Sequence, residues 1–353
     1  MNHLLMPLTL LALTLPASAQ ITADLAARLE ALELRLARLE HDAWSVGPAV
    51  VCLDVASDLS PIHPTRALPA GVSELSVAIE PAAAARFHTL TAIFVAVDVG
   101  AAAPPGTEMA RSVQPTNGEQ RARFRYHQDG PLPPGTYRVE LLGDGAPWCM
   151  LPYRVLPALD AARAPAFPLE AGRVWSYAFV QEAAEGARLV DGDVPMGARF
   201  TGQVEIRALE LLADENGATS ARVEIRRDGA LVSQETWRFD ERGLVATRRV
   251  ADGEELVLEP PQPLLSSSAG VQAWSYVNAA LGFDQRGRQW GPLPLAGPWG
   301  SAPGFVVRTE QAEGALVHVA EREFVPGIGL VHERIVSARG GVLVARQELV
   351  LQP

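Results

Sequence analysis

Lysine is absent from this chain: all 30 basic residues are arginine, set against 41 acidic residues for a net charge of −11. An acidic surface repels a phosphate backbone and gains nothing from counterion release, so generic nucleic-acid binding is excluded. Attraction to anionic lipid surfaces is disfavoured for the same reason. Beyond Leu15 no run of ~18 residues is apolar enough to cross a bilayer, so the mature chain is expected to have no membrane span.

Motifs for catalysis are missing as well. There is no Gly-x-Ser-x-Gly elbow, and Ser266-Ser267-Ser268 lies in Pro- and Ser-rich sequence that reads as a connector. The histidines have no closely spaced partner of zinc-site type; His318 and His332 would have to meet across neighbouring strands. Asp191-Gly192-Asp193 begins like a calcium loop, but Pro195 and Gly197 stand where further oxygen ligands belong. Glu321 and Glu323 share one strand face with Arg322 on the other, an alternating acidic edge with no visible cleft. The reading is therefore no enzyme, no metal and no cofactor.

What is present begins with an export signal. Leu4, Leu5, Met6, Leu8, Leu10, Leu11, Ala12, Leu13 and Leu15 form a short apolar core, followed by Pro16-Ala17-Ser18-Ala19-Gln20 as a small-x-small cleavage site. Cleavage is expected after Ala19, leaving a soluble periplasmic or extracellular protein. Residues 20–44 hold the clearest helical pattern. Leu25, Leu29, Leu32, Leu36 and Leu39 recur in steps of 4, 3, 4 and 3, the seam of a coiled coil. Arg28 and Arg35 fall at g, and Glu33 and Glu40 at e, as for a parallel homo-oligomer through residues 22–43. Packing of the same leucine stripe on the chain's own β-structure is the alternative.

From 45 to 157 the pattern changes to short alternating stretches, among them 74–79, 90–97 and 136–142, with turns at Asp129-Gly130, Pro134-Gly135 and Asp144-Gly145. A small β-sandwich is expected. Residues 130–148, GPLPPGTYRVELLGDGAPW, resemble the final hairpin of bacterial immunoglobulin-like domains. Cys52 and Cys149 flank this unit; in an oxidising compartment they form a candidate disulfide, and otherwise two separately buried thiols. Residues 158–166 are Ala- and Pro-rich and read as a linker.

The remaining sequence repeats itself. Trp175-Ser176-Tyr177 recurs as Trp274-Ser275-Tyr276, and Gly243-Leu244-Val245 as Gly329-Leu330-Val331, with strand-like sequence before each later motif. Two related antiparallel β-meander domains with curved sheets are expected, at 167–259 and 271–353, joined by a linker at 260–270. Phe167-Pro168-Leu169 with Gly172 and Trp175-x-Tyr177, followed by Pro326-Gly327-Ile328-Gly329-Leu330-Val331, is similar to poorly characterised secreted bacterial proteins and lipoproteins. That resemblance implies a strongly curved antiparallel sheet and no particular activity.

One segment suggests recognition. Residues 283–305 combine Trp290 and Trp299 with Arg286, Arg288 and several glycines and prolines, a loop suited either to presenting flat aromatic faces or to covering its own sheet. The expected fold is mainly β, with an N-terminal amphipathic helix, an immunoglobulin-like sandwich and two meanders. The expected function is non-enzymatic protein binding or assembly outside the cytoplasm, with an envelope protein or glycan as partner. A periplasmic carrier of an apolar, acyl-chain ligand is one alternative, and a hydrolase with an unrecognised site another.

Overall fold

The structure, a computed structural model, describes residues 48–56, 59–116, 122–158, 167–183, 199–213, 219–251, 253–279, 282–340 and 342–352. The signal segment, the leucine stripe Leu25–Leu39 with its flanking Arg28, Glu33, Arg35 and Glu40, and the Asp191–Asp193 turn lie outside these residues. The described chain is strand almost throughout. Its longest helix is α1, Pro81–Ala84, of four residues. The expected coiled coil is thereby corrected: no long helix takes part in the fold that the described residues build.

The first nine strands form two sheets. One has the order β2(Pro61–Pro64), β1(Ala49–Val55), β4(Glu74–Ile79), β7(Ala122–His127). The other runs β3(Ala67–Leu68), β9(Ala146–Val155), β8(Gly135–Gly143), β5(Thr89–Asp98), β6(Thr107–Pro115). Strand alternation turns Val51 and Leu53 of β1, Val77 of β4, Phe94 of β5 and Val139 of β8 into one core. Tyr137 stacks on Tyr153 there at 5.2 Å between ring centroids, and its hydroxyl donates to the Pro133 carbonyl over 2.6 Å.

The sheet containing β1 is unusual in being buried on both faces. Ala49 to Leu53 are all buried, which explains an unbroken apolar run where a half-exposed strand would alternate. The same alternation corrects the disulfide. Val51 and Leu53 point into the sandwich, so Cys52 points away from it, packing with Val50, Val55 and Ala78. Cys149 sits on β9 of the opposite sheet, against the sandwich core. Both thiols are free. Burial pushes the Cys52 thiol far above its ordinary range, and raises that of Cys149 as well.

The other twelve strands form one antiparallel sheet. Six belong to a first run: β10(Val174–Ala183), β11(Arg199–Ala213), β12(Thr219–Arg227), β13(Ala230–Asp240), β14(Gly243–Ala251) and β15(Glu254–Ser266). Six belong to the second: β16(Gln272–Asn278), β17(Phe283–Gly297), β18(Gly300–Glu313), β19(Leu316–Val325), β20(Gly329–Arg339) and β21(Val342–Leu351). The Trp-x-Tyr pairs fall on the first strand of each set, and the Gly-Leu-Val triplets open the fifth.

The first and last of these strands, β10 and β21, pair in register from Tyr177↔Leu351 to Ala183↔Ala345, so the meander turns back on itself. At the other seam β15 and β16 lie side by side without a ladder, and the sheet nearly closes into a barrel. Side chains bridge that seam. Gln289 of β17, wholly buried, accepts from the Ser266 backbone N–H at 2.8 Å and donates to the carbonyls of Ser266 and Ser268.

The repeated motifs meet in space. Trp175 Nε1 donates to the Ile328 carbonyl at 2.7 Å and the Tyr177 hydroxyl to the Leu330 carbonyl at 2.9 Å. Gly329 must be glycine for two reasons: its φ is +111°, and a Cβ there would lie 2.8 Å from Trp175 Nε1.

Two outcomes follow from this packing. A thiol reagent should modify Cys149 before Cys52 in the native protein, and reductant should leave Tm unchanged; a reductant-dependent Tm would restore the disulfide. Gln289→Leu leaves three backbone groups without their side-chain partner and should cost about 3 kcal/mol in denaturant unfolding, whereas a neutral effect would show that the seam holds without it.

Candidate functional site

The interior of the nearly closed sheet divides along its strands into an apolar part and a polar part. In the apolar part Trp175, Tyr177, Trp237, Phe305, Phe324 and Leu330 pack together. Phe167, just before β10, fills the space between them, with ring centroids 5.4 Å from Trp175 and 5.6 Å from Trp237. Further along the same faces the residues change character. On β18 Phe305 and Val307 give way to Thr309 and Gln311; on β10 Tyr177 and Phe179 give way to Gln181; on β12 Val223 gives way to Arg227.

These polar side chains line a cavity of about 450 Å³. Five of its walls carry glutamines: Gln181, Gln262, Gln285, Gln311 and Gln347. Four arginines, Arg227, Arg249, Arg322 and Arg339, also line it, and no Asp or Glu does among the described residues. Two of the arginines are paired with carboxylates that share the interior faces of their strands, next to the lining. Arg249 Nε donates to Glu235 at 2.7 Å, the same carboxylate that accepts from Trp237 Nε1 at 2.6 Å. Arg322 pairs with Glu333 and donates to Thr309 Oγ1 at 3.1 Å. Arg227 lies over the Phe179 ring at 4.6 Å, and its buried Nε has no hydrogen-bond partner among the described residues. Arg249 and Arg322 are thus neutralised by Glu235 and Glu333, and Arg227 and Arg339 bring to the lining the cationic groups with no carboxylate partner among the described residues.

The outer face of the same wall meets the sandwich. Trp290, Leu293, Leu295 and Val306 join the sandwich core, while Ala56 and Ile62 pack on Val319 and Val336. Polar ties surround these contacts: Arg288 pairs with Glu74, Arg308 with Asp54 at 3.4 Å, and Arg334 with the Pro61 carbonyl. His63 of β2 enters this face. Its backbone N–H donates to Glu321 at 2.7 Å, and its Nδ1 lies 3.0 Å from Glu323 Oε1. One strand over, His332 Nε2 lies 3.0 Å from Glu348 Oε1. A second cavity, of about 290 Å³, is lined by His63, Glu323, His332, Glu348 and Trp299.

The segment 283–305 is not a loop. It forms β17, a turn at Pro298-Trp299 and the start of β18. Trp290 is wholly buried beneath Arg288, whose guanidinium lies 5.6 Å from the ring centroid; Trp299 is half-buried against Gly297, and Arg286 is exposed. These four residues are not brought together as one surface. His318 and His332 face opposite sides of the wall, since His318 bonds Ser337 Oγ at 2.8 Å within the lumen lining while His332 faces the second cavity. Glu321 and Glu323 do share a face, with Arg322 on the other. Sequence reasoning missed the glutamine ring; its signal is glutamine in step with the buried positions of strand-like segments, as in Gln285 and Gln311.

Burial opposes a charge on His332, but its hydrogen bond to Glu348 and the carboxylates of Glu323 and Glu321 outweigh that, and its pKa is raised. The same hydrogen bond lowers the pKa of Glu348 against the effect of burial. A raised histidine pKa contributes stability that is complete below the unfolded value of about 6.5 and is lost as pH rises through the folded value. His332→Gln should therefore lose most relative to the parent near pH 6, with the gap narrowing at higher pH, in urea unfolding with chelator present. A gap independent of pH would contradict this pairing.

No protein-family model matches the chain, and no curated protein matches it. Among solved structures, an exported protein with a YmcC-like fold from Bacteroides fragilis aligns with 13% identity over 54% of this chain and 100% of its own. The TM-score is 0.27. A value of that size fixes neither fold nor function.

Proposed function

We propose that this is a non-catalytic, exported binding protein whose barrel lumen takes a small, hydrophilic, anionic solute. The observation that carries the reading is the lining itself: four arginines and five glutamines around about 450 Å³, with no carboxylate among the described lining residues. A volume of this order suits a small ligand. Glutamine amides supply donors and acceptors that a hydroxylated or carboxylated solute satisfies. An acyl chain would leave them desolvated and unpaired, at a cost of about 1–3 kcal/mol for each group. The acyl-carrier reading has lost its main support, because the apolar part of the interior is filled by Phe167, Trp175 and Trp237.

Export rests on the signal pattern of residues 1–19. The remainder of the chain fits this reading without catalysis: β1–β9 serve as an immunoglobulin-like spacer over 45–157, and the units proposed at 167–259 and 271–353, the first extended through β15 to Ser266, supply the two halves of the barrel wall. Arg227 and Arg339 are the arginines to test, since Arg249 and Arg322 also hold Glu235 and Glu333 in place.

In thermal-shift and calorimetric titrations, a hexuronic acid, a sugar phosphate or a tricarboxylate should stabilise the protein by about 2.7 kcal/mol at a hundredfold excess over Kd. A neutral hexose and palmitate should not. Arg227→Gln with Arg339→Gln should weaken the anion at least tenfold and flatten its salt dependence. Preferential binding of palmitate, or anion binding untouched by the double substitution, would overturn the proposal.

A further inference from the structure

The junction between sandwich and barrel holds a cluster that the lumen reading does not use. His63, Glu321 and Glu323 each offer a ligand atom, and the three atoms lie within 4.8 Å of one another. They come from opposite sides of the junction: His63 from edge strand β2 of the sandwich, the glutamates from β19 of the barrel wall. We propose that these three residues bind one divalent transition-metal ion, with Zn²⁺ as the fitting representative, and that the ion staples the sandwich to the barrel.

Backbone geometry first distinguishes this cluster from an ordinary surface ion pair. His63 adopts φ +45°, in the left-handed region that a residue with a Cβ rarely occupies. Such a conformation persists only where the surroundings enforce it. Here Glu321 accepts the His63 backbone N–H, and Arg334 fixes both Glu321 Oε2, at 2.7 Å, and the preceding Pro61 carbonyl. The result is an imidazole aimed at Glu323, with Nδ1 and Oε1 3.0 Å apart. Two ligand atoms on one tetrahedral zinc ion, with bonds of about 2.0–2.1 Å, sit roughly 3.3 Å from each other. A few tenths of an ångström of side-chain movement therefore converts the hydrogen bond into two metal bonds.

Charge and access point the same way. Glu321 and Glu323 place two carboxylates at a site where Glu321 is 3% exposed and paired with Arg334. The cavity of about 290 Å³ that His63 and Glu323 line leaves room for water to complete the coordination shell. The imidazole sets the class of metal: nitrogen with carboxylate oxygen suits zinc and its neighbours, whereas calcium and magnesium take oxygen ligands.

The test uses the tag-free mature chain, stripped with chelator and titrated with Zn²⁺ by calorimetry. The expected result is one site per chain, a rise in Tm on saturation, and no competition from millimolar Ca²⁺ or Mg²⁺. His63→Ala and the isosteric Glu323→Gln should each weaken Zn²⁺ at least tenfold, while His318→Gln, on the lumen side, should leave it unchanged. Circular dichroism checks that each apo variant is folded; if His63→Ala is not, Glu323→Gln decides. Absence of a saturable site, unchanged affinity in a folded Glu323→Gln, or equal competition by Ca²⁺ would overturn the assignment. Its outcome is independent of anion binding in the lumen, which neither substitution touches.

Discussion

Two side chains of β10, Trp175 and Tyr177, donate hydrogen bonds into the turn that opens β20, and the shape of the barrel depends on that join. Two six-stranded runs have four free edges with unpaired backbone groups. Pairing β10 with β21 removes one pair of edges, and the indole and phenol lock the register from the inside through the Ile328 and Leu330 carbonyls. Gly329 is what lets Trp175 approach so closely. The opposite seam has no ladder and relies on Gln289 instead. The two runs are thus not equivalent at their junctions: one is joined by backbone, the other by side chains.

Closure creates an inside, and the order of residues along each strand decides what that inside is. Aromatic residues near the Trp175 join fill their share of the lumen, so the remaining space falls among glutamines and arginines. The wall also has an outside that is not solvent. β19 shows this most clearly, with Arg322 turned inward to Thr309 and Glu333 while Glu321 and Glu323 turn outward to meet His63. A single strand serves two chemically different sites by alternation alone.

Local features were legible in the sequence because local forces produce them. Alternation marked the strands, and Asp-Gly and Pro-Gly dipeptides marked their turns. The recurrent Trp-x-Tyr and Gly-Leu-Val fall on the first and fifth strands of two runs of six. Their recurrence did not show that both runs share one sheet, because the β10–β21 pairing links residues far apart in sequence and leaves no short-range pattern. The disulfide expectation failed for a local reason: Ala49, Val51 and Leu53 of β1 face the sandwich, so Cys52 faces away from it. The candidate sites were the least legible. His63 and Glu321 are 258 positions apart, and each glutamine of the lumen looks like an ordinary polar strand residue until the sheet curls and collects them.

The proposed binding function requires a lumen that is polar, open to solute and not a sheath for hydrocarbon. A crystal structure of the purified mature chain at a resolution that shows ordered water tests it most directly. The expected result is waters or a co-purified anion hydrogen-bonded to Gln181, Gln285, Gln311 and Arg227. Continuous acyl-chain density in that space, or a lumen collapsed until these side chains touch one another, would contradict it.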